Sequence, residues 1–530
     1  MTLEEYELEP ERQLLIMGLE KIIHTDQSRL EALGYKQELK RDLSLVANFA
    51  FSFSIISILT GVTTLYGTGL TYGGTISMVY GWIIAGCLNM FVALSMAEIC
   101  SAYPTSAGLY YWSYTLAGPS WGPFASWITG WFNVIGQWAM TTSVDYSLAT
   151  LLRIIILLST GGGNGGGYDA NKYVVILFHG GLLIVHALIN SLSIAWVSYM
   201  GTFAAAWNVF GVFILMFLIP LVATHKQSAE SVFTSFRRDP GTGIQSEPYI
   251  FLLGLLMSQY TMTGYDASAH MSEETKSSDK NGGYGILSAL GISIVVGWGY
   301  VVGLSFAVVN PDRLLDPNND AKGYAIAQVF YDVFNDRFGS GTGGILCLCV
   351  VAVAVFFCGM SCVTSNSRMA FAFSRDGALP FSKVWRVVRR DVPIRTVWLS
   401  ATIAFAMALT SLGSLVAFQA MVSITTIGLY IAYALPIFFK ITLGRKTFVP
   451  GHINLGPFST FINWVAVFWV LALVVLFSLP TIYPVEANTL NYTPIAVGAV
   501  LTYTLGYWFL SARHWFKGPV GSLESKEVEA

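Results

Sequence analysis

The chain has 530 residues, of which 54% are apolar, 14% aromatic and only 11% charged, under half the charged share of a typical soluble protein. Its mean hydropathy is +0.58, so most of it is built to dissolve in lipid rather than to present a charged surface to water. A net charge of −2 with no basic stripe excludes a nucleic-acid binder.

Residues 1–44 hold 16 charged side chains, ten of them acidic, including Glu4, Glu5, Glu7, Glu9 and Glu11. Transit peptides are poor in acid and secretory signals need an early apolar stretch, so this tail is not expected to be a presequence. A short amphipathic helix on the membrane surface is expected around Gly18 to Leu33. Twelve apolar runs follow that approach the roughly 20-residue length of a spanning helix: 45–66, 76–100, 122–158, 173–192, 197–223, 248–270, 285–310, 343–372, 396–413, 418–440, 459–482 and 490–512. Runs 122–158 and 343–372 are too long for one crossing and are expected to tilt or project into a loop. The segment 513–530 is charged again.

The expected fold is thus an all-α membrane protein, with an N-terminal tail over 1–44, a transmembrane domain over 45–512 and a C-terminal tail over 513–530. Twelve spans put both termini on one side. Most Lys and Arg fall on that side, including Arg375, Lys383, Arg386, Arg389, Arg390 and Arg395. The positive-inside rule makes it the cytoplasm.

Cys87, Cys100, Cys347, Cys349, Cys358 and Cys362 lie within apolar runs or at their ends and read as small buried hydrophobes, not as disulfide or zinc-site residues. His179 and His186 share one face of the fourth span, with no acid beside them in that span, and read as structural histidines. The run Gly161 to Gly167 lacks the following Lys-Ser/Thr of a phosphate cradle and reads as a flexible external connector. Neither an enzyme nor a channel is favoured, and no cofactor, metal or nucleic acid is expected.

Two spans carry an interruption. The first contains Ser57-Ile58-Leu59-Thr60-Gly61-Val62, the sixth Gln259-Tyr260-Thr261-Met262-Thr263-Gly264-Tyr265-Asp266. Mid-helix Gly and Thr weaken a helix, although Gly in membrane helices also serves close packing. Paired interruptions five spans apart point to a transporter site, where free N–H groups meet a carboxylate and free C=O groups an ammonium. An amino acid carries both.

Three acids lie in or beside the spans, and intramembrane carboxylates are costly enough to be functional candidates. Glu98 reads as an interfacial capping or packing acid. Asp266 reads either as a proton-linked or gating group or as a structural hydrogen-bond acceptor. Asp145 shares a face with Gln137 and either draws cations toward an outer vestibule or, the preferred reading, pairs with Arg153.

The stretch Glu98 to Trp112, with Pro104, Gly108 and Tyr110, resembles a signature of the amino acid–polyamine–organocation superfamily. Tyr260 to Asp266 followed by Glu273-Glu274 is similar to its span-six motif, and Asn366-Ser367-Arg368 with Ser374 to Pro380 to the end of its span eight. The wording of the last two motifs looks like the amino acid/choline branch, and within it the bidirectional amino acid transporters of plants.

The resemblance implies a 5+5 inverted repeat with broken helices 1 and 6, plus two extra helices. It implies alternating-access transport of an amino acid substrate, with GABA or, as the alternative, choline or a polyamine as candidates, in a lipid bilayer. Carried over by motif, Thr60 and Gly61 would hold a carboxylate through backbone amides. Thr261, Met262 and Thr263 would hold an ammonium through carbonyls, and Tyr260 would gate over the substrate. Asp266 would be a gating carboxylate, Gln137 would face the site, and Ser361 would line it with Cys358 and Cys362. Some relatives place a Lys in span five. Trp207 and Asn208 stand in that region here, so ion coupling does not transfer by analogy. Ser361, Thr364 and Ser365 could offer hydroxyls to sodium, a disfavoured reading because such hydroxyls usually bond their own backbone.

Overall fold

The computed structural model describes residues 26–413, 415–487 and 489–519. The part of the expected surface helix before residue 26 lies outside the described residues; 26–32 are helical. Among the described residues eleven helices are long and apolar enough to cross a membrane. The remaining expected span, 248–270, is not among them because it is two short helices, not one.

In chain order the helices that build the domain are α1 Leu45–Ile56, α2 Ile58–Thr71, α3 Gly74–Ala102, α4 Leu109–Ser159, α5 Lys172–Asn190 and α6 Ile194–Val222. They continue as α7 Glu247–Thr261, α8 Ala267–His270, α9 Ser278–Ser305, α10 Ala325–Phe338, α11 Thr342–Arg375, α12 Ile394–Ala408, α13 Leu415–Ile441, α14 Ser459–Leu476 and α15 Thr493–Leu510. The first span is α1 with α2, and the sixth is α7 with α8. Each broken span packs against the second helix of the opposite half, α1 on α9 and α7 on α3, an exchange that inverted repeats produce. Outward faces stay apolar, as Leu177, Phe210, Phe217, Val295 and Phe468 show.

At 51 residues α4 is roughly 75 Å of helix, far beyond a hydrocarbon core of about 30 Å. Gly118, at φ 74°, breaks it before Pro119, setting Leu109–Ala117 off from the crossing part. Gly161–Gly167 is not the loose connector its composition suggested. Gly163 N bonds Asp320 O at 2.9 Å, and a Cβ at Gly163 would lie 2.7 Å from Asn319 O. The glycines let this turn seat against the loop before α10.

Glu98 is a packing acid. It pairs with Lys440 of α13, and accepts from Ser459 Oγ at 2.7 Å and Leu455 N at 3.0 Å. Asp145 does not pair with Arg153. Arg153 bonds Asp169 at 2.7 Å, and Asp145 meets His186 of α5. Side chains eight residues apart on one helix stand about 12 Å apart along the axis, whereas α5 brings an imidazole into contact.

Candidate functional site

The two breaks carry the site. Ser57 ends α1 with φ 21° and ψ 90° and starts α2, its Oγ accepting from Thr60 N at 3.4 Å. The same hydroxyl donates to Asn208 Oδ1 at 2.8 Å, so an α6 residue braces the break. Asn208→Ala removes that brace. We expect it to lower stability by about 1 kcal/mol, read as a small fall in the thermal midpoint in detergent; an unchanged midpoint denies Asn208 a bracing role.

The break therefore lies four residues before Gly61, not at Thr60-Gly61. Thr60 and Gly61 belong to the first turn of α2, with Gly61 N bonded to Ser57 O at 3.0 Å. Gly61 is small for another reason: a Cβ there would lie 2.3 Å from Thr261 Oγ1. It is the crossing point of the two broken spans.

In the sixth span the helix stops at Thr261 and resumes at Ala267. Met262 leaves helical geometry and Gly264 turns left-handed, at φ 98°, a conformation open chiefly to glycine. Thr261 and Thr263 spend their hydroxyls on Met257 O and Gln259 O, at 2.7 and 2.8 Å. Met262 O accepts from Tyr430 at 3.0 Å and Tyr265 O from Ser52 of α1 at 2.9 Å. A Cβ on Gly264 would lie 2.3 Å from Ile55 Cγ2, so this turn abuts the end of α1.

Asp266 is the hub beside that turn. It is fully buried and accepts from Gln137 Nε2 at 2.9 Å and Tyr433 OH at 2.7 Å. His270 Nε2 is 3.3 Å away and shares Asn133 Nδ2 at 3.2 Å. Tyr260, one turn from the break, bonds Ser143 at 2.7 Å. On α11, Cys358 donates to Ile55 O at 3.4 Å, while Ser361 Oγ is buried without a partner among the described residues. Thr364 is occupied by Asn190 at 2.6 Å.

The fold thus brings Gln137, Tyr260, Met262, Asp266 and Cys358 around the two breaks, with Ser361 about one turn beyond Cys358 on α11. Sequence reasoning missed Ser57, Asn208, His270, Tyr430 and Tyr433. Ser57 stood within the serine-rich run before Thr60; the α13 tyrosines gave no local signal.

Below the hub a second tier joins the span-six and span-eight motifs. Arg368 grips Glu274 at 3.1 and 3.2 Å, and Arg375 grips Glu273 at 2.8 and 2.9 Å. The N-terminal strap crosses them: Leu43 N bonds Glu274 O at 2.8 Å, and the Arg375 guanidinium stacks on Tyr35 at 4.1 Å. Tyr35 and Tyr110 both donate to Asp376, at 2.9 and 2.7 Å. Burial pushes the Asp376 carboxyl up to about 6, against the opposing pull of Arg375 and both tyrosines.

A folded-state pKa raised above its ordinary 3.8 means that the folded state gains from protonation of this carboxyl. That gain is complete below the ordinary value and disappears as pH rises through about 6. This one group therefore makes the folded state about 1 kcal/mol more stable at pH 5 than at pH 7, read as a higher thermal midpoint in detergent at the lower pH. Asp376→Asn should flatten that dependence; a flat profile in the unaltered protein would refute it.

Comparison with known proteins decides the family: residues 43–501 match the amino acid permease model. The chain belongs to the amino acid permease family. The permease is 65% identical to the amino-acid permease BAT1 homolog of Oryza sativa over 94% of this chain and 96% of the relative. It is 64% identical to the amino-acid permease BAT1 of Arabidopsis thaliana over 95% and 98%. The GABA-specific permease of Saccharomyces cerevisiae matches at 28% over 95% and 87%. This is a multi-pass membrane transporter of amino acids.

Proposed function

We propose that this permease is a secondary-active, alternating-access carrier of zwitterionic amino acids, GABA included, with substrate held between the two breaks. The observation that carries the reading is the abutment of Gly264 against Ile55, which places the ends of four half-helices around one point. The start of α2 offers first-turn amides at Ile58 and Leu59, beside Thr60 and Gly61, to a carboxylate. The end of α7 offers the carbonyls of Thr261, Met262 and Thr263 to an ammonium. Tyr260 closes over the substrate, with Gln137, Asp266 and Ser361 lining its berth.

The tails over 1–44 and 513–530 lie in the cytoplasm on this reading, because the basic run from Arg375 to Arg395 then obeys the positive-inside rule. The Arg–Glu pairs and strap accordingly close the inner face. Competition for labelled alanine uptake in liposomes tests the substrate. Alanine and GABA should compete and choline should not; inhibition by choline alone would hand the site to an organocation.

A further inference from the structure

Behind the substrate-facing side of α11 lies a buried acid–imidazole pair with no part in the site above. Asp145 of α4 and His186 of α5 are both fully buried, and His186 Nδ1 is 3.2 Å from the carboxylate. His186 Nε2 has no hydrogen-bond partner among the described residues. The pair presses on α11 at Gly359, where a Cβ would lie 2.0 Å from Asp145 Oδ1 and 2.7 Å from His186 Cε1. Gly359 adjoins Cys358, whose thiol bonds Ile55 O at the end of α1. Two residues before Asp145, Ser143 bonds Tyr260. The pair is thus one residue removed from the Cys358 contact to α1 and two from the Ser143 contact to Tyr260.

Its surroundings isolate it. On α4 the neighbouring titratable group is Tyr146, and on α5 it is His179, whose ring lies against Tyr146 and, from α12, Phe405. On α11 Cys358 adjoins Gly359 and Cys362 stands one turn further on, α7 approaches with Tyr260 through Ser143, and α12 has no titratable residue over 396–408. Among the described residues the acid's only ion-pair partner is His186. In such a place the pair is neutral overall only with one proton shared between carboxylate and imidazole. While the pair is shut off from water, removing that proton strands a carboxylate and adding a second strands a cation, so it can exchange a proton only when the transport cycle opens it to one side.

We propose that the Asp145–His186 pair is a proton-binding site that couples substrate movement to a proton gradient. This rests on the transport reading above. One proton is taken up by the pair from the side where substrate enters and is released on the side where substrate leaves. Repositioning of Gly359 and Ser143 relays its loading to α1 and Tyr260.

The test uses purified full-length protein in liposomes. Exchange of external for internal alanine is measured at equal pH, and net uptake is measured with and without a gradient of about one pH unit, acid on the side of entry. One proton per cycle can raise accumulation by up to about tenfold for that gradient. In the unaltered protein the gradient should raise uptake several-fold. In Asp145→Asn and in His186→Gln the ratio should fall to about one, with exchange at equal pH persisting. The proposal is overturned if the unaltered protein exchanges alanine but ignores the gradient, or if either folded variant keeps the wild-type ratio. Should one variant elute as aggregate, the other and the unaltered protein still decide. Absence of any amino acid exchange in the unaltered protein would instead sink the transport reading.

Discussion

Asp266→Asn should cut amino acid exchange about 10- to 100-fold. The carboxylate accepts from Gln137 of α4 and Tyr433 of α13 and lies 3.3 Å from His270 of α8. An amide of the same size keeps one acceptor and turns a donor toward a donor. Hydrogen bonds to charged groups contribute about 1.5–3 kcal/mol each, and each 1.4 kcal/mol is a factor of about ten. The loss should appear in exchange across liposomes at equal pH, with the shape of the pH profile kept if the proton resides on Asp145 and His186. A profile that changes shape makes Asp266 the proton-linked group and takes that role from the pair behind α11. Exchange at the wild-type rate would leave Asp266 no more than a packing residue.

Gly264→Ala carries the second large effect. Its φ of 98° charges any Cβ about 1–2 kcal/mol of local strain. The added methyl would also lie 2.3 Å from Ile55 Cγ2 and 2.9 Å from Met140 Cε, and overpacking of this kind costs about 1–3 kcal/mol. The sum, about 2–5 kcal/mol, falls on the turn that separates α7 from α8 and on its contact with α1. We expect a clear drop in the thermal midpoint in detergent and loss of exchange. Gly377→Ala is the control: its φ is also positive, at 82°, but a Cβ there meets nothing within 4 Å, so only the strain remains. Equal midpoints for the two variants would show that the Ile55 contact does not constrain the break.

Chain-local chemistry made much of this protein legible. Apolar run lengths announced the spanning helices, and scarce charge announced the lipid. The Thr263-Gly264 pair announced the gap in the sixth span, because a residue free to take φ above zero follows a β-branched, poor helix former. Motif wording announced the permease family. Glu98 was readable as a packing acid because it stood at the end of an apolar run.

What only the tertiary structure decided was which groups meet. Gly61 looked like the break in the first span; a glycine that unwinds a helix and one that lets Thr261 approach are the same letter, and the neighbour decides. The break fell at Ser57, whose hydroxyl is held by Asn208, 151 residues away. Asp145 took His186 over Arg153, and Tyr433 reached Asp266 across 167 residues. Spacing along a chain reports the face a side chain shares with its own helix. Partners on other helices are set by how the bundle packs, and within lipid that packing settles which buried charges and hydroxyls are satisfied.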